Sequence, residues 1–421
     1  MITLPLECFL MIFFILYDNF LYNDLFSCAL VNRLWCRIIV PILWRDPSFH
    51  FVDPRLIRTF LLTLNVEEQT LLIPFNISLP SRPKPLFDYT SYITSIDSWL
   101  YYEEVSNWLN HERHHRGFEL ENAVRCSLIA MILRTSKYLK HIYINELICN
   151  QLIFENLYEQ TNVTSVNFDF KNNIDDDIKS KSIDQLIKFL NRIPNLTSLE
   201  FSKIGPKGTK TLLKALYEYT VLNSLCLYDN SIGIEEAKIL EKFLYKNTTL
   251  TLLNLSYNNL GSEGGKILAR GICKNTSLIS LNLCMNNLGS EGGKALADII
   301  CKNTTLVFLD LSSNNLGSEG GKVLADAIYK NTTLVSLNLY NNKLGTEGGK
   351  ALANALYKNT SLKDLNLDYN DIGPEGGKAF ADALCKNITL TSLDIEANNI
   401  NFKICSNNQR LVIRQENKTE T

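Results

Sequence analysis

The chain of 421 residues has almost no net charge: 42 Lys and Arg stand against 44 Asp and Glu, leaving −2. That balance gives no general electrostatic attraction to nucleic acid or to an anionic membrane. Cys-x-x-Cys pairs are missing, although 11 cysteines are scattered along the chain. This fits reduced thiols in an intracellular protein, cytoplasmic or nuclear, rather than a disulfide framework. The apolar start from Cys8 to Leu16 is far too short to span a bilayer. It also lacks a preceding basic residue and a following small-residue cleavage site, and Glu7 stands at its edge, so a secretory signal is not expected. What is abundant is apolar material, 46% of residues against 20% charged, enough for more than one globular unit.

One phrase dominates the second half. NNLGSEGGK begins at Asn258, Asn286 and Asn314, with variants around Asn342 and Asn370. The asparagines Asn230, Asn258, Asn286, Asn314, Asn342, Asn370 and Asn398 are spaced by 28 residues throughout. A period in this range marks stacked strand–helix repeats. Around Asn258, Leu250, Leu253 and Leu255 alternate as a short strand with one buried face. Ser262 is the expected helix N-cap, with Glu263 in the first turn. Leu268, Ala269, Ile272 and Cys273 then share one helical face.

Strands about 4.8 Å apart and helices about 8–10 Å apart can stack only on a curve, with strands inside. Each Asn amide carries donors and acceptors, so it can satisfy the backbone in its own turn and the next. The glycines lie in the first helical turn, where a missing Cβ permits close packing on the neighbouring coil. The phrase matches no nucleotide-loop pattern, and such a loop is needed once rather than five times. Eleven N-x-S/T sequons occur, but Asn247, Asn275, Asn303, Asn331, Asn359 and Asn387 share one repeat position, which points to a structural cause. Cys273, Cys301 and Cys385 share a column with Tyr245, Tyr329 and Tyr357, read as helix-face packing. The pattern N-x-x-G-x-E-G…L-A…A-L…N over 222–400 resembles the ribonuclease-inhibitor type of leucine-rich repeat. Residues 136–221 carry degenerate copies, and the polar tail 401–421 is expected to fray.

The first 47 residues read as helices around a very small core. Pro5 suits a first helical turn, and Leu6, Phe9, Leu10 and Phe13 form a face. Asp24 could cap a second helix bearing Leu25, Cys28 and Val31, and Trp35, Ile38, Ile39, Leu43 and Trp44 continue the apolar pattern. So much large apolar material in so small a unit implies a covering partner. Leu4, Pro5, Glu7, Ile12, Phe13, Leu16, Asp24, Leu25, Cys28, Val31, Asn32, Arg33, Trp35, Leu43 and Trp44 follow the order of an F-box, which this stretch resembles. The loop from Tyr17 to Asn23 is long for that family, and Met11 replaces its usual acidic residue. The resemblance implies a Skp-type adaptor and a cullin complex as partners. Leu4, Pro5, Ile12, Leu25, Val31 and Leu43 would face that adaptor, with Trp35 and Trp44 shared between core and interface.

Residues 48–135 read as a mostly helical linker. Three prolines break it in LPSRPKPLFDY, and YITSIDSWLYYEEVSNWLN is helical in spacing. His111, Glu112, Arg113, His114 and His115 spell the H-E-x-x-H of zinc proteases. That chemistry needs a third ligand and a buried cleft. The only later histidine, His141, falls in a predicted strand, and the surroundings are polar on every side, so this reads as a solvated helix end. No catalytic residue, metal or cofactor is expected.

Reading the columns between the strand leucines gives the concave wall: Tyr228, Phe308, Asp310, Tyr340, Asp364, Asp368, Asp394 and Glu396, with Tyr257 and Tyr369 in the next column. Aromatic anchors and a C-terminal gathering of carboxylates suit a basic, partly apolar protein target. The expected fold class is α/β, a small helical F-box followed by a right-handed α/β leucine-rich solenoid, or horseshoe. The resemblance implies a non-catalytic substrate receptor of an SCF-type ubiquitin ligase. The runner-up is a repeat scaffold or inhibitor acting without ubiquitin transfer.

Overall fold

The computed structural model describes residues 6–19, 21–46, 54–77, 88–97, 103–112, 117–145, 150–170, 176–217 and 221–415. They form two compact units, residues 1–171 with 185–196 and residues 172–184 with 197–421.

The first unit opens with α1 (Leu6–Asp18), α2 (Tyr22–Ala29) and α3 (Arg33–Leu43). Asn32 caps α3, its Oδ1 accepting from the Trp35 amide at 2.9 Å. Asp24 lies within the first turn of α2 instead of capping it. The three helices bury Phe13, Leu25, Ala29, Ile39 and Ile42. Trp35 packs on this cluster, with ring centroids 5.4 Å from Phe9 and 5.3 Å from Phe13.

Next come α4 (Pro54–Leu61), α5 (Val66–Thr70), β1 (Ser95–Ile96), α6 (Glu103–His111), α7 (Phe118–Thr135), β2 (His141–Asn145), α8 (Gln151–Tyr158) and β3 (Ser165–Asp169). Glu68 is fully buried and takes the Arg134 guanidinium at 2.6 and 2.9 Å, tying α5 to the end of α7. β1 and β3 both pair parallel with β2. The parallel sheet therefore starts inside the stretch expected to be a helical linker. Ser95 and Ile96 lie within YITSIDSWLYYEEVSNWLN, which also carries the start of α6 at Glu103. A two-residue strand has too few side chains to show alternation. Most of the proline-rich segment lies outside the described residues.

After α9 (Asp176–Leu190), which the two units share, the regular repeats run as β4 (Ser198–Ser202), α10 (Gly205–Leu216), β5 (Ser224–Cys226), α11 (Ile234–Lys246), β6 (Leu252–Asn254), α12 (Gly261–Ile272), β7 (Ser280–Asn282), α13 (Gly289–Lys302), β8 (Phe308–Asp310), α14 (Gly317–Lys330), β9 (Ser336–Asn338), α15 (Gly345–Leu356), β10 (Asp364–Asn366), α16 (Gly373–Leu384), β11 (Ser392–Asp394) and β12 (Val412–Arg414). From β4 to β12 every strand pairs parallel with the next, and the middle leucines stack: Leu225, Leu253, Leu281, Leu309, Leu337, Leu365 and Leu393. All seven are buried. This is the expected leucine-rich α/β solenoid.

The asparagine column reaches back to the preceding coil, not forward. Asn314 Oδ1 accepts from the Asn286 and Leu288 amides, while its Nδ2 donates to Leu283 O of that coil and to Leu311 O and Ser312 O of its own. The Oδ1 atoms of Asn258, Asn342, Asn370 and Asn398 likewise accept two amides each. Asn286 differs: its Oδ1 is buried without a hydrogen-bond partner.

The sequon asparagines build a second ladder at the helix exits. Asn303 Nδ2 donates to Ile272 O and Asn275 O of the preceding coil, and its Oδ1 accepts from the Thr305 and Leu306 amides. These amides are spent inside the fold, so the sequon pattern has a structural origin.

The EGGK phrase divides its work. The first glycine crowds its own coil, where a Cβ at Gly264 would meet Leu260 at 3.3 Å. The second faces the next coil: a Cβ at Gly321 would lie 3.1 Å from Leu344 Cδ2 and 3.2 Å from Gly348 Cα. Glu and Lys form exposed i,i+3 pairs, such as Lys322–Glu319 at 2.8 Å. Ser262 does not cap its helix; the chain enters α12 through Gly261 at φ +58°.

Two further expectations change. The column of Tyr245, Tyr329 and Tyr357 is exposed rather than packed, and Lys274, Lys358 and Lys386 of the following coils lie over its rings. Residues 401–415 form a cap rather than a frayed tail. Ser406 Oγ donates to Leu384 O, Asn408 Nδ2 donates to Leu390 O, and β12 completes the sheet.

Candidate interaction surfaces

The N-terminal helices leave Met11, Ile12, Ile15, Leu21, Phe26, Leu30, Val31 and Leu34 exposed, with Met11 at 65%, Leu30 at 73% and Val31 at 61%. Met11, Ile12 and Ile15 share a face of α1 by i, i+1, i+4 spacing. Leu30, Val31 and Leu34 cluster in sequence at the joint between α2 and α3. Exposed apolar material of this extent marks a contact surface.

The strand face of the regular repeats is the second candidate. Two aromatic pairs stand on it: Tyr228 with Tyr257, ring centroids 5.0 Å apart, and Tyr340 with Tyr369, 5.2 Å apart. Phe308 is exposed at the start of β8. Asp310 is half-buried and turned to structural use, its Oδ1 accepting from the Ser312 amide at 2.9 Å. Asn254, Asn282, Asn338 and Asn366 hold the amide two residues on in the same way.

The carboxylates gather toward the end of the sheet but are not all open. Arg414 of β12 pairs with both oxygens of Asp394 at 3.2 Å. Thr391 Oγ1 donates to Asp364 at 3.4 Å. Asp368 Oδ1 accepts from the Glu396 amide at 2.6 Å. Burial holds the Asp368 carboxyl above its ordinary pKa, that amide opposes the shift, and the charges of Asp394 and Glu396 add to it. Glu396 itself is exposed. On the same strand face, in register with Asn254, partial burial pushes the Cys226 thiol up to about 11, so it stays a neutral thiol.

Residues 1–50 match the F-box-like family model. Residues 246–269, 274–297, 302–325, 330–353 and 358–381 each match the Leucine Rich repeat model. The chain is an F-box/leucine-rich-repeat protein. Both parts belong to families of interaction modules that are typically non-catalytic. No curated protein matches the chain. Among solved structures, it is similar to the Rad7 and Elc1 complex of yeast, at 17% identity and a TM-score of 0.42, covering 68% of this chain and 77% of that one. It is also similar to the leucine-rich repeat-containing protein LegL7 from Legionella pneumophila, at 26% identity and a TM-score of 0.40, covering 58% of this chain and 78% of that one.

Within the F-box, Ile12 and Val31 are exposed, whereas Leu25 is 0% exposed and is a core residue. The expectation that Leu25 faces a partner is corrected: helical spacing gave the face but not which side of it the other two helices cover. Trp35 and Leu43 pack on the core cluster. Trp44 stacks on Tyr89 at 4.4 Å and lies 5.6 Å from Phe60, so its ring is engaged by the chain itself. Leu4 and Pro5 lie outside the described residues. The exposed Met11, Ile15, Leu21, Phe26, Leu30 and Leu34 were missed, although Met11 and Ile15 carry the i,i+4 signal of a shared face.

Of the H-E-x-x-H residues, His111 and Glu112 end α6 as a contact of 3.5 Å with His111 exposed, and residues 113–116 lie outside the description. Among the described residues no group of three or more His, Cys, Asp or Glu could hold a metal ion, and no helix is long and apolar enough to cross a membrane.

Proposed function

We propose that this protein is the substrate-recognition subunit of an SCF-type E3 ubiquitin ligase. In this reading the F-box docks on a Skp-type adaptor that links it to a cullin complex, and the strand face of the repeats holds a protein target. The observation that carries it is the exposed apolar set of α1 to α3, from Met11 to Leu34, on helices whose buried cluster among the described residues is Phe13, Leu25, Ala29, Ile39 and Ile42. Leaving so many large apolar side chains in water is costly, and a covering partner removes that cost. The target side takes a basic, partly apolar protein segment, because the strand face pairs tyrosines with carboxylates. Ubiquitin transfer then belongs to partner subunits, and the working compartment is the cytoplasm or nucleus.

The test is capture of the purified chain by an immobilised Skp-type adaptor. Val31→Asp with Leu34→Asp should abolish capture while circular dichroism stays that of the parent, since both side chains are exposed. Leu25→Asp is unsuitable, because a buried charge would unfold the helices. Failure of the folded parent chain to bind the adaptor would leave the repeats as a binding scaffold in their own right.

A further inference from the structure

Two adjacent columns of the strand face hold the tyrosines in a fixed arrangement. One column lies two residues before each ladder asparagine: Tyr228, Ser256, Cys284, Ser312, Tyr340, Asp368 and Glu396. The other lies one residue before it: Asp229, Tyr257, Met285, Ser313, Asn341, Tyr369 and Ala397. Each column holds two tyrosines, and each tyrosine of the first is in ring contact with a tyrosine of the second on the following coil. The pairs occupy equivalent tiles, stitched by Asp229 N donating to Ser256 O at 3.1 Å and Asn341 N to Asp368 O at 2.9 Å. Each tile also holds one carboxylate, Asp229 in the first and Asp368 in the second.

The second column carries a conformational cost. All seven of its residues have left-handed backbone, with Tyr257 and Tyr369 both at φ 57°. Asp and Asn, which stand at 229 and 341, suit that region, whereas a bulky aromatic there is an outlier of the kind that collects at binding sites. The rings are 46% and 54% exposed, so burial does not repay the conformation.

We propose that these tiles are two cation clamps, each taking one Arg or Lys side chain of a single basic protein segment. This rests on the reading of the strand face as the target site. An aromatic pair beside a carboxylate attracts a cation through both the ring faces and the charge. The chain shows the mode on its helix side, where lysines lie 4.4 to 5.6 Å from the centroids of Tyr217, Tyr245, Tyr329 and Tyr357. The clamps are four strand spacings apart, β5 to β9, or about 19 Å at about 4.8 Å per spacing. That distance equals about six residues of extended chain or about 13 of helix.

Random 20-residue peptides displayed on phage and selected on the full chain provide the test. The pool should enrich sequences with two basic residues at one fixed separation, and that separation reports whether the segment binds extended or helical. Tyr257→Asn and Tyr369→Asn should each weaken the selected peptides roughly 100-fold by removing one of two linked contacts. Their thermal midpoints should hold or rise, because Asn accepts the left-handed backbone; a purely packing role would lower them instead. A pool with no fixed separation, yet lost on Phe308→Ala, overturns the clamps and leaves the strand-face reading standing. An empty pool, or one indifferent to every strand-face substitution, overturns both.

Discussion

Among the described residues of the F-box, five are buried in one small cluster while eight large apolar side chains, from Met11 to Leu34, face solvent. In the regular repeats the strand leucines from Leu225 to Leu393 are all buried, and two asparagine ladders bond the turns at both ends of the coils, the Asn286 oxygen excepted. The repeats complete their own burial by stacking. The F-box helices leave a large apolar surface uncovered. In the repeats, function is therefore to be sought where a column departs from its consensus; in the F-box, it lies where burial stops.

The largest effect that would sharpen this contrast lies in the ladder. Asn314→Ala removes the acceptor of two buried amides and the donor to three carbonyls. Urea unfolding should show a loss of roughly 3–5 kcal/mol. Asn286→Ala should cost less, since its oxygen accepts nothing. Equal losses would show that the acceptor half of the ladder carries no stability.

A smaller effect tests the glycines. Gly321→Ala puts a methyl 3.1 Å from Leu344 Cδ2 and 3.2 Å from Gly348 Cα, at the joint between two coils. A loss of about 1–3 kcal/mol is expected from the forced separation, read as a lower urea midpoint. A neutral result would mean that the coils slide apart freely there.

The smallest effect concerns charge on the strand face. Burial raises the folded-state pKa of Asp368 above its ordinary value of 3.8. A raised carboxyl favours folding below that value, and the contribution is lost as pH rises through the folded pKa. Asp368→Asn should therefore raise the thermal midpoint at pH 7, with the gain fading near pH 3.8 and below. A gain that persists unchanged at low pH would show that the Asp368 charge is not its source.

The periodic features were legible because each of seven coils repeats the buried leucine and the turn asparagine, and five of them repeat the close-packing glycines. What escaped was set by geometry that a single segment does not encode. Ser95–Ile96 and Val412–Arg414 are too short to show alternation, and their pairing depends on the neighbouring strand. Arg414 reaches Asp394 only because β12 joins the sheet, which removes part of the open negative charge read at that end. Ser262 looked like a cap by type and position, yet Gly261 takes the left-handed turn and begins the helix itself. The tyrosines were visible as candidates one by one. Their diagonal contacts became visible only with the register between coils.

The unpartnered oxygen of Asn286 bears on how the molecule comes apart. A stack in which each coil touches only its neighbours behaves as a one-dimensional chain of couplings, and its weakest link bounds its cooperative blocks. The link between the coils of Asn258 and Asn286 lacks the two amide bonds that neighbouring links have. Openings that start in the C-terminal coils should halt there, leaving the tile of Tyr228 and Tyr257 folded while that of Tyr340 and Tyr369 is lost. Native-state hydrogen exchange would then show two blocks of protection that meet at Asn286, and one uniform block would refute the division. The same joint that weakens the stack would let one end of the strand face outlast the other.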